Sequence, residues 1–250
     1  MKILFSPTKS MKKNDIMDTF DLTNPEFINQ ANIIHNELLK WSVKDLKSIM
    51  KLSDSLAYNT CQYIKDWSSQ NSFPAVLFYS GTSFKKMNPI LWSNEDRVYA
   101  QNHLCILSAM YGLIRPYDQI CFYRLEMGLK HCLFGDRRSI KQFWKPLITD
   151  YLNKISREEP LINLASNEYF NVIDASKIKS SIIHCFFYED KEGEFKMIGN
   201  YAKAARGLMV NYMVKNKING LDKIKEFNVD GYLFNENKST GNSFVFIRKS

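Results

Sequence analysis

The chain has 250 residues, 45 % of them hydrophobic and 24 % charged, which is the balance of an ordinary globular protein and excludes disordered and fibrous chains. Thirty-four Lys and Arg against 26 Asp and Glu leave a formal charge of +8, favouring an anionic partner: nucleic acid, phosphate or an acidic small molecule. The opening MKILFSPTKS falls short of the roughly 7–15 apolar residues of a secretory signal. No run approaches the ~20 apolar residues of a membrane helix, so no membrane partner is expected. Cys61, Cys105, Cys121, Cys132 and Cys185 are odd in number and lack CxxC or zinc-site spacing, so they read as buried, reduced thiols of a cytoplasmic protein.

In chain order, residues 2–5 predict a short buried strand. Residues 25–40 carry one apolar face at helical spacing, with Asn24 as N-cap and Pro25 at the first helical position. Residues 42–50 and 53–67 predict two more helices around a short polar joint. Apolar runs at 75–79, 104–107, 161–164, 182–188, 195–198 and 243–247 predict further buried strands. Helical spacing covers 139–155 and 201–217, and Glu189-Asp190-Lys191-Glu192-Gly193 predicts a hairpin turn. There is no repeat, low-complexity tract or long linker, and the one candidate boundary, near 70–75, is not adopted. The expected fold is a single α/β domain over 1–250 with a mixed sheet flanked by helices and a helical elaboration near 25–70.

Polar residues follow four of the apolar runs: Ser6-Pro7-Thr8-Lys9, Ser80-Gly81-Thr82-Ser83-Phe84-Lys85, Ser108-Ala109-Met110-Tyr111-Gly112-Leu113-Ile114-Arg115-Pro116-Tyr117-Asp118, and Ala165-Ser166-Asn167-Glu168-Tyr169-Phe170. If the runs are neighbouring parallel strands, these tails converge on one cleft beyond the carboxyl ends; otherwise each is an ordinary loop start. Arg115 and Asp118 flank Pro116-Tyr117, while Arg124 and Glu126 sit in a largely apolar stretch. Buried charge must be paired, so an ion-pair network is expected for Asp118 and Glu126, and contact with an anionic ligand for Arg115 and Arg124. Lys203 and Arg206, three apart on a predicted helix, form either an anion site or a solvated basic face. His35, His103, His131 and His184 are isolated. No metal site, cofactor motif, P-loop, GxGxxG or GxSxG occurs, and the single glycine of Ser80-Gly81-Thr82-Ser83 makes a feeble phosphate cradle.

Several long words occur together: Ser6-Pro7-Thr8-Lys9, Leu107-Ser108-Ala109-Met110-Tyr111-Gly112-Leu113-Ile114-Arg115-Pro116, Tyr123-Arg124-Leu125-Glu126-Met127-Gly128, Gln142-Phe143-Trp144, Ile162-Asn163-Leu164-Ala165-Ser166-Asn167-Glu168-Tyr169-Phe170 and Tyr201-Ala202-Lys203-Ala204-Ala205-Arg206-Gly207-Leu208-Met209. With them the chain resembles, end to end, the peroxide stress protein YaaA family (UPF0246, DUF328). The resemblance implies a cytoplasmic bacterial protein of the hydrogen peroxide response that limits iron-dependent DNA damage. It also implies an α/β fold of unusual topology, a basic cleft, and a helix-hairpin-helix-like element that binds DNA, here about 42–67. One departure stands out: that segment has no glycine, and Leu56-Ala57-Tyr58 stands where relatives tend to read Leu-Ala-Gly. A hairpin around Lys51-Leu52-Ser53-Asp54, with Ser53 as cap, would serve instead.

Two functions follow. As a DNA-binding protein the chain would read backbone or structure rather than sequence, through Lys44, Lys47 and Lys51 on the helical pair together with Lys9, Arg115, Arg124, Lys203 and Arg206. As an enzyme or small-anion binder it would use the strand-end cleft, with Ser6, Tyr111, Asn163 and Ser166 lining it beside those cations, and Glu126 or Glu168 as candidate general acid or base. No reaction follows from the residues alone. Direct iron sequestration has little support, because iron(II) sites gather His and carboxylates and the four histidines show no such cluster.

Overall fold

The structure, a computed structural model, describes residues 1–13 and 20–249. Five parallel strands make its spine: β1 (Lys2–Phe5), β3 (Leu104–Ser108), β6 (Leu161–Asn163), β7 (Ile182–Lys191) and β10 (Ser243–Lys249). The order β4-β3-β1-β6-β7-β10-β9 is extended by antiparallel edges, β4 (Gly112–Ile114), β9 (Leu233–Phe234) and β8 (Glu194–Lys196), the last pairing with β7. This is the expected mixed sheet flanked by helices. β3 and β6 are buried along their whole length and β1 nearly so, which is why they read as unbroken apolar runs, the pattern of a parallel sheet covered on both faces. β7 alternates, with Ile183, Cys185 and Phe187 buried between partly exposed neighbours.

Residues 25–70 form the expected helical elaboration: α1 (Ile28–Leu38), α2 (Val43–Met50) and α3 (Asp54–Lys65). α1 begins later than Asn24-Pro25 suggests. Residues 25–27 form a turn in which the Ile28 amide donates to the Pro25 carbonyl, and Phe27 precedes the helix. α2 carries a capping box between Ser42 and Asp45, and the Ser53 hydroxyl caps α3 by accepting from the Leu56 amide. Lys51 ends α2 with φ 52°, so a lysine takes the left-handed position where glycine is usual. Tyr58 lies inside α3 and not in the turn.

One expected strand is not a strand. Phe73–Pro74 (β2) pairs with Gln119–Ile120 (β5), and Ala75–Phe78 then closes a helical turn, α4. The loop after β4 supplies its partners, with the Ala75 and Val76 amides donating to the Asp118 and Pro116 carbonyls. A five-residue apolar run such as 75–79 cannot distinguish a strand from a buried helical turn.

α5 (Thr82–Met87), α6 (Asn94–His103), α7 (Ile140–Ser156), α8 (Asn167–Phe170), α9 (Gly199–Lys215) and α10 (Leu221–Lys225) complete the helices among the described residues. Trp144 of α7 is fully buried, its indole N–H donating to the Ala109 carbonyl at 2.8 Å. It lies against Gly112 (φ +74°), where an added Cβ would sit 2.6 Å from the ring. α9 crosses α5 so closely that a Cβ on Gly207 would stand 2.1 Å from the Ser83 carbonyl oxygen. Gly207→Ala is therefore expected to cost about 2 kcal/mol or more in a urea unfolding series, because backbone cannot yield to an added methyl. Gly199→Ala, at the open start of the same helix, is expected to shift stability by no more than about 0.5 kcal/mol.

Candidate functional site: a cationic cleft at the strand ends

Beyond the carboxyl ends of β1 and β6 lies a cleft of about 370 Å³. Four segments wall it: the loop at 6–10, the start of α5, the turn from Leu164 into α8, and the first turns of α9. The two loops are fastened together by hydroxyl chemistry. The Ser166 amide donates to Ser6 Oγ at 2.8 Å, and Ser6 Oγ in turn lies 3.2 Å from Ser166 Oγ. Gly81 brings α5 against the first loop, since a Cβ there would lie 2.2 Å from Thr8 Oγ1.

Lys203 and Arg206, one turn apart on α9, bring positive charge to the cleft, which Lys9 also lines. Neither makes an ion pair with a described residue, and Arg206 Nε is buried without a hydrogen-bond partner. Burial pulls the Arg206 guanidinium below its usual value, and no carboxylate offsets that effect. Glu168 stands at the rim, where its Oε1 accepts from the Gly128 amide at 3.1 Å and ties α8 to the loop at 122–128. A narrow hollow of about 10 Å³, sharing Pro7, Thr8, Lys9 and Tyr169 with the cleft, adjoins it and is bordered by Arg124 and Glu126. Lys9 pairs with Glu126 at 2.6 Å, while Arg124 Nε is a second buried guanidinium atom without a partner.

Ser6, Lys9, Ser166, Glu168, Lys203 and Arg206 are thus brought together, with Arg124 and Glu126 next door. The other expected site residues lie elsewhere. Arg115 follows the antiparallel β4 and closes a fork on Asp118, Nε at 3.2 Å and an Nη at 3.0 Å from one carboxylate oxygen. Asp118 also accepts from the Arg115 amide and from the Thr23 hydroxyl, so the pair serves the fold. Tyr111 is 1 % exposed; its ring stacks on Trp67 and meets Tyr123 edge-to-face, and its hydroxyl accepts from the Cys121 amide. Asn163 sits behind the cleft floor. Its Oδ1 accepts from the Ala165 amide, so its Nδ2 donates to His184 Nδ1, which leaves the imidazole proton on Nε2. Lys44, Lys47 and Lys51 sit on the α2–α3 hairpin and do not line the cleft.

Sequence reasoning gave too little weight to Thr8, Thr82, Ser83 and Tyr169, which also line the cleft. The available signal was Gly81, followed by two hydroxyl residues and, at a distance in the chain, another glycine at 207. Among the described residues no group of three or more His, Cys, Asp or Glu is placed to hold a metal ion, and no helix is long and apolar enough to cross a membrane.

The sequence profile of the family described as peroxide stress protein YaaA matches residues 1–238. The chain belongs to that family. Relatives carry the name UPF0246 protein. One from Flavobacterium psychrophilum is 39 % identical over 253 residues, covering 99 % of this chain and all of its own. One from Marinomonas is 38 % identical over 256 residues, covering 99 % and 97 %, and one from Legionella pneumophila strain Corby is 38 % identical over 256 residues, covering 99 % of each. Membership supports a role in the oxidative stress response.

A peroxide-response protein invites scrutiny of its thiols. Burial pushes the Cys105 and Cys185 thiols up to about 12, and raises that of the half-buried Cys121. Cys132 is exposed. A thiol reagent at pH 8 is expected to label Cys132 in a fast phase that Cys132→Ser abolishes, with Cys105 and Cys185 reacting only after denaturant is added. Fast labelling of either buried thiol in the native protein would contradict this packing.

Proposed function

We propose that the protein serves the peroxide response by binding the phosphate backbone of DNA through the α2–α3 hairpin, limiting iron-dependent damage to the bound DNA. One observation carries the reading: Lys44, Lys47 and Lys51 all lie exposed on the α2–α3 hairpin, Lys44 and Lys47 at i, i+3 on one face of α2 and Lys51 at its left-handed C-cap. Of the three, Lys44 and Lys51 make no ion pair with a described residue. Lys47 meets Asp54 at 2.6 Å, but that carboxylate is 86 % exposed, and so loose a surface pair yields readily to a phosphate. The hairpin matches in outline the helix-hairpin-helix-like element that the family resemblance implies. Nothing in it presents a base-reading motif, so recognition would be of backbone or structure, not of sequence.

The test is fluorescence anisotropy with labelled duplex, single-stranded and junction DNA over a salt series. Wild-type protein is expected to bind with a Kd of about 10 µM or tighter near physiological salt, with affinity falling steeply as salt rises. Reversing Lys44, Lys47 and Lys51 to Glu should weaken binding at least about tenfold and flatten the salt slope by about three units, one for each lost phosphate contact. Retention of wild-type affinity by the triple variant would sink the hairpin as the contact. Binding no better than that of an unrelated basic protein would sink the DNA reading altogether.

A further inference from the structure

We infer that the strand-end cleft is a separate binding site for a small phosphomonoester, such as a nucleoside monophosphate or a sugar phosphate. This goes beyond the DNA reading and does not rest on it. The size of the cleft comes first. At about 370 Å³ it lies within the range of roughly 300–1,000 Å³ typical of small-molecule pockets, and it would hold one nucleotide rather than a duplex. Charge comes second. Lys203 and Arg206 bring two positive charges to one wall, and neither has a carboxylate partner among the described residues. Arg115 is paired with Asp118, Lys215 and Lys217 with Asp96, and Arg248 with Glu189, whereas Arg206, like Arg124 in the adjoining hollow, keeps a buried Nε without a partner. An unpaired, partly buried guanidinium costs free energy unless an anion completes it.

The third observation is the donor set. Arg206 Nε is a buried N–H donor with nothing to donate to, and hydroxyls of Thr8, Thr82, Ser83 and Ser166 line the same space. A phosphomonoester near pH 7 carries close to two negative charges and three terminal acceptor oxygens, which answers two cations and a ring of hydroxyls. A carboxylate would leave one cation unanswered. A backbone phosphodiester has a single charge and a chain that continues on both sides of it, which the mouth would have to accommodate. Tyr169, buried against the cleft, and Phe5 at its base give the remainder of the ligand an apolar contact.

Isothermal titration calorimetry at low ionic strength tests the assignment, with inorganic phosphate, adenosine 5′-monophosphate and glycerol phosphate as separate probes. At least one organic phosphate is expected to bind, and more tightly than inorganic phosphate. Lys203→Ala removes an exposed ammonium with no packing role, and Arg206→Lys keeps the charge while losing the fork. Each should weaken binding about tenfold or more, the loss expected when one charged hydrogen-bond partner goes. Near-ultraviolet circular dichroism identifies a variant that has failed to fold, and Lys203→Ala carries the test if Arg206→Lys is one. The Lys44, Lys47, Lys51 to Glu variant should bind the same phosphate as wild type, and Lys203→Ala should leave duplex affinity within about twofold. No binding by any probe at millimolar concentration would overturn the inference, as would binding unchanged in Lys203→Ala. Loss of phosphate binding in the hairpin variant alone would assign the phosphate to the hairpin and equally overturn it.

Discussion

The molecule turns on the contact between α9 and α5, where Gly207 meets the Ser83 carbonyl with no room for a side chain. Backbone-to-backbone contact of this kind fixes two helices to within tenths of an ångström, because neither side has a rotamer with which to adjust. Arg206 is the residue before that contact and Lys203 lies one turn earlier, so the crossing sets where both cations stand over the ends of β1 and β6. The start of α5 is fixed in turn against the loop at 6–10, because Gly81 admits Thr8 where any side chain would collide. Three segments far apart in the chain are thereby locked round one cleft by the absence of two side chains.

The same helix shows how differently charge is handled at its two ends. At the carboxyl end of α9, Lys215 and the following Lys217 converge on the buried Asp96. Burial would raise that carboxyl, but hydrogen bonds from the two ammoniums and from the Ser93 amide hold it well below the usual carboxylate range. Cations there also suit the negative end of the helix dipole. Toward the amino end the arrangement differs: Lys203 and Arg206 follow the first turn, and no described carboxylate pairs with them. A fold that pairs the buried carboxylates Asp96, Asp118 and Glu189 leaves Lys203, Arg206 and, next door, Arg124 without a carboxylate partner among the described residues, an imbalance that suits the proposed anion site.

Much of this was legible in the sequence. β1, β3, β6, β7 and β10 each declare themselves as apolar runs, and Ser42, Ser53 and Ser139 mark helix starts at α2, α3 and α7. Apolar runs followed by polar tails also pointed to the cleft, because β1 and β6 are adjacent parallel strands and their tails must meet. The residues that failed did so for non-local reasons. Residues 75–78 turn helical because carbonyls some forty residues later satisfy their amides. Tyr111 and Asn163 belong to the right segments, but their side chains are committed to Cys121 and His184, partners that spacing does not reveal. Arg115 stands apart from the cleft because β4 runs antiparallel to β3 and carries its tail back along the sheet, away from the other strand ends.

The hairpin and the cleft differ in how much water surrounds their charge, and that difference separates their roles. Lys44, Lys47 and Lys51 are exposed, so salt screens them over a Debye length of roughly 8 Å at physiological ionic strength. They suit a partner that also carries its charge in solvent, as a nucleic-acid backbone does, and that gains from counterion release instead of from a fixed geometry. Arg206 is partly buried with its Nε shut away from water, where each hydrogen bond made to an anion is stronger and less sensitive to salt. Such a donor rewards a ligand small enough to enter and shaped to meet it. One basic protein can therefore carry two anion sites that do not compete, one read through long-range charge and the other through hydrogen-bond geometry. The +8 of the whole chain describes neither site by itself, because what distinguishes them is desolvation and not the count of cations.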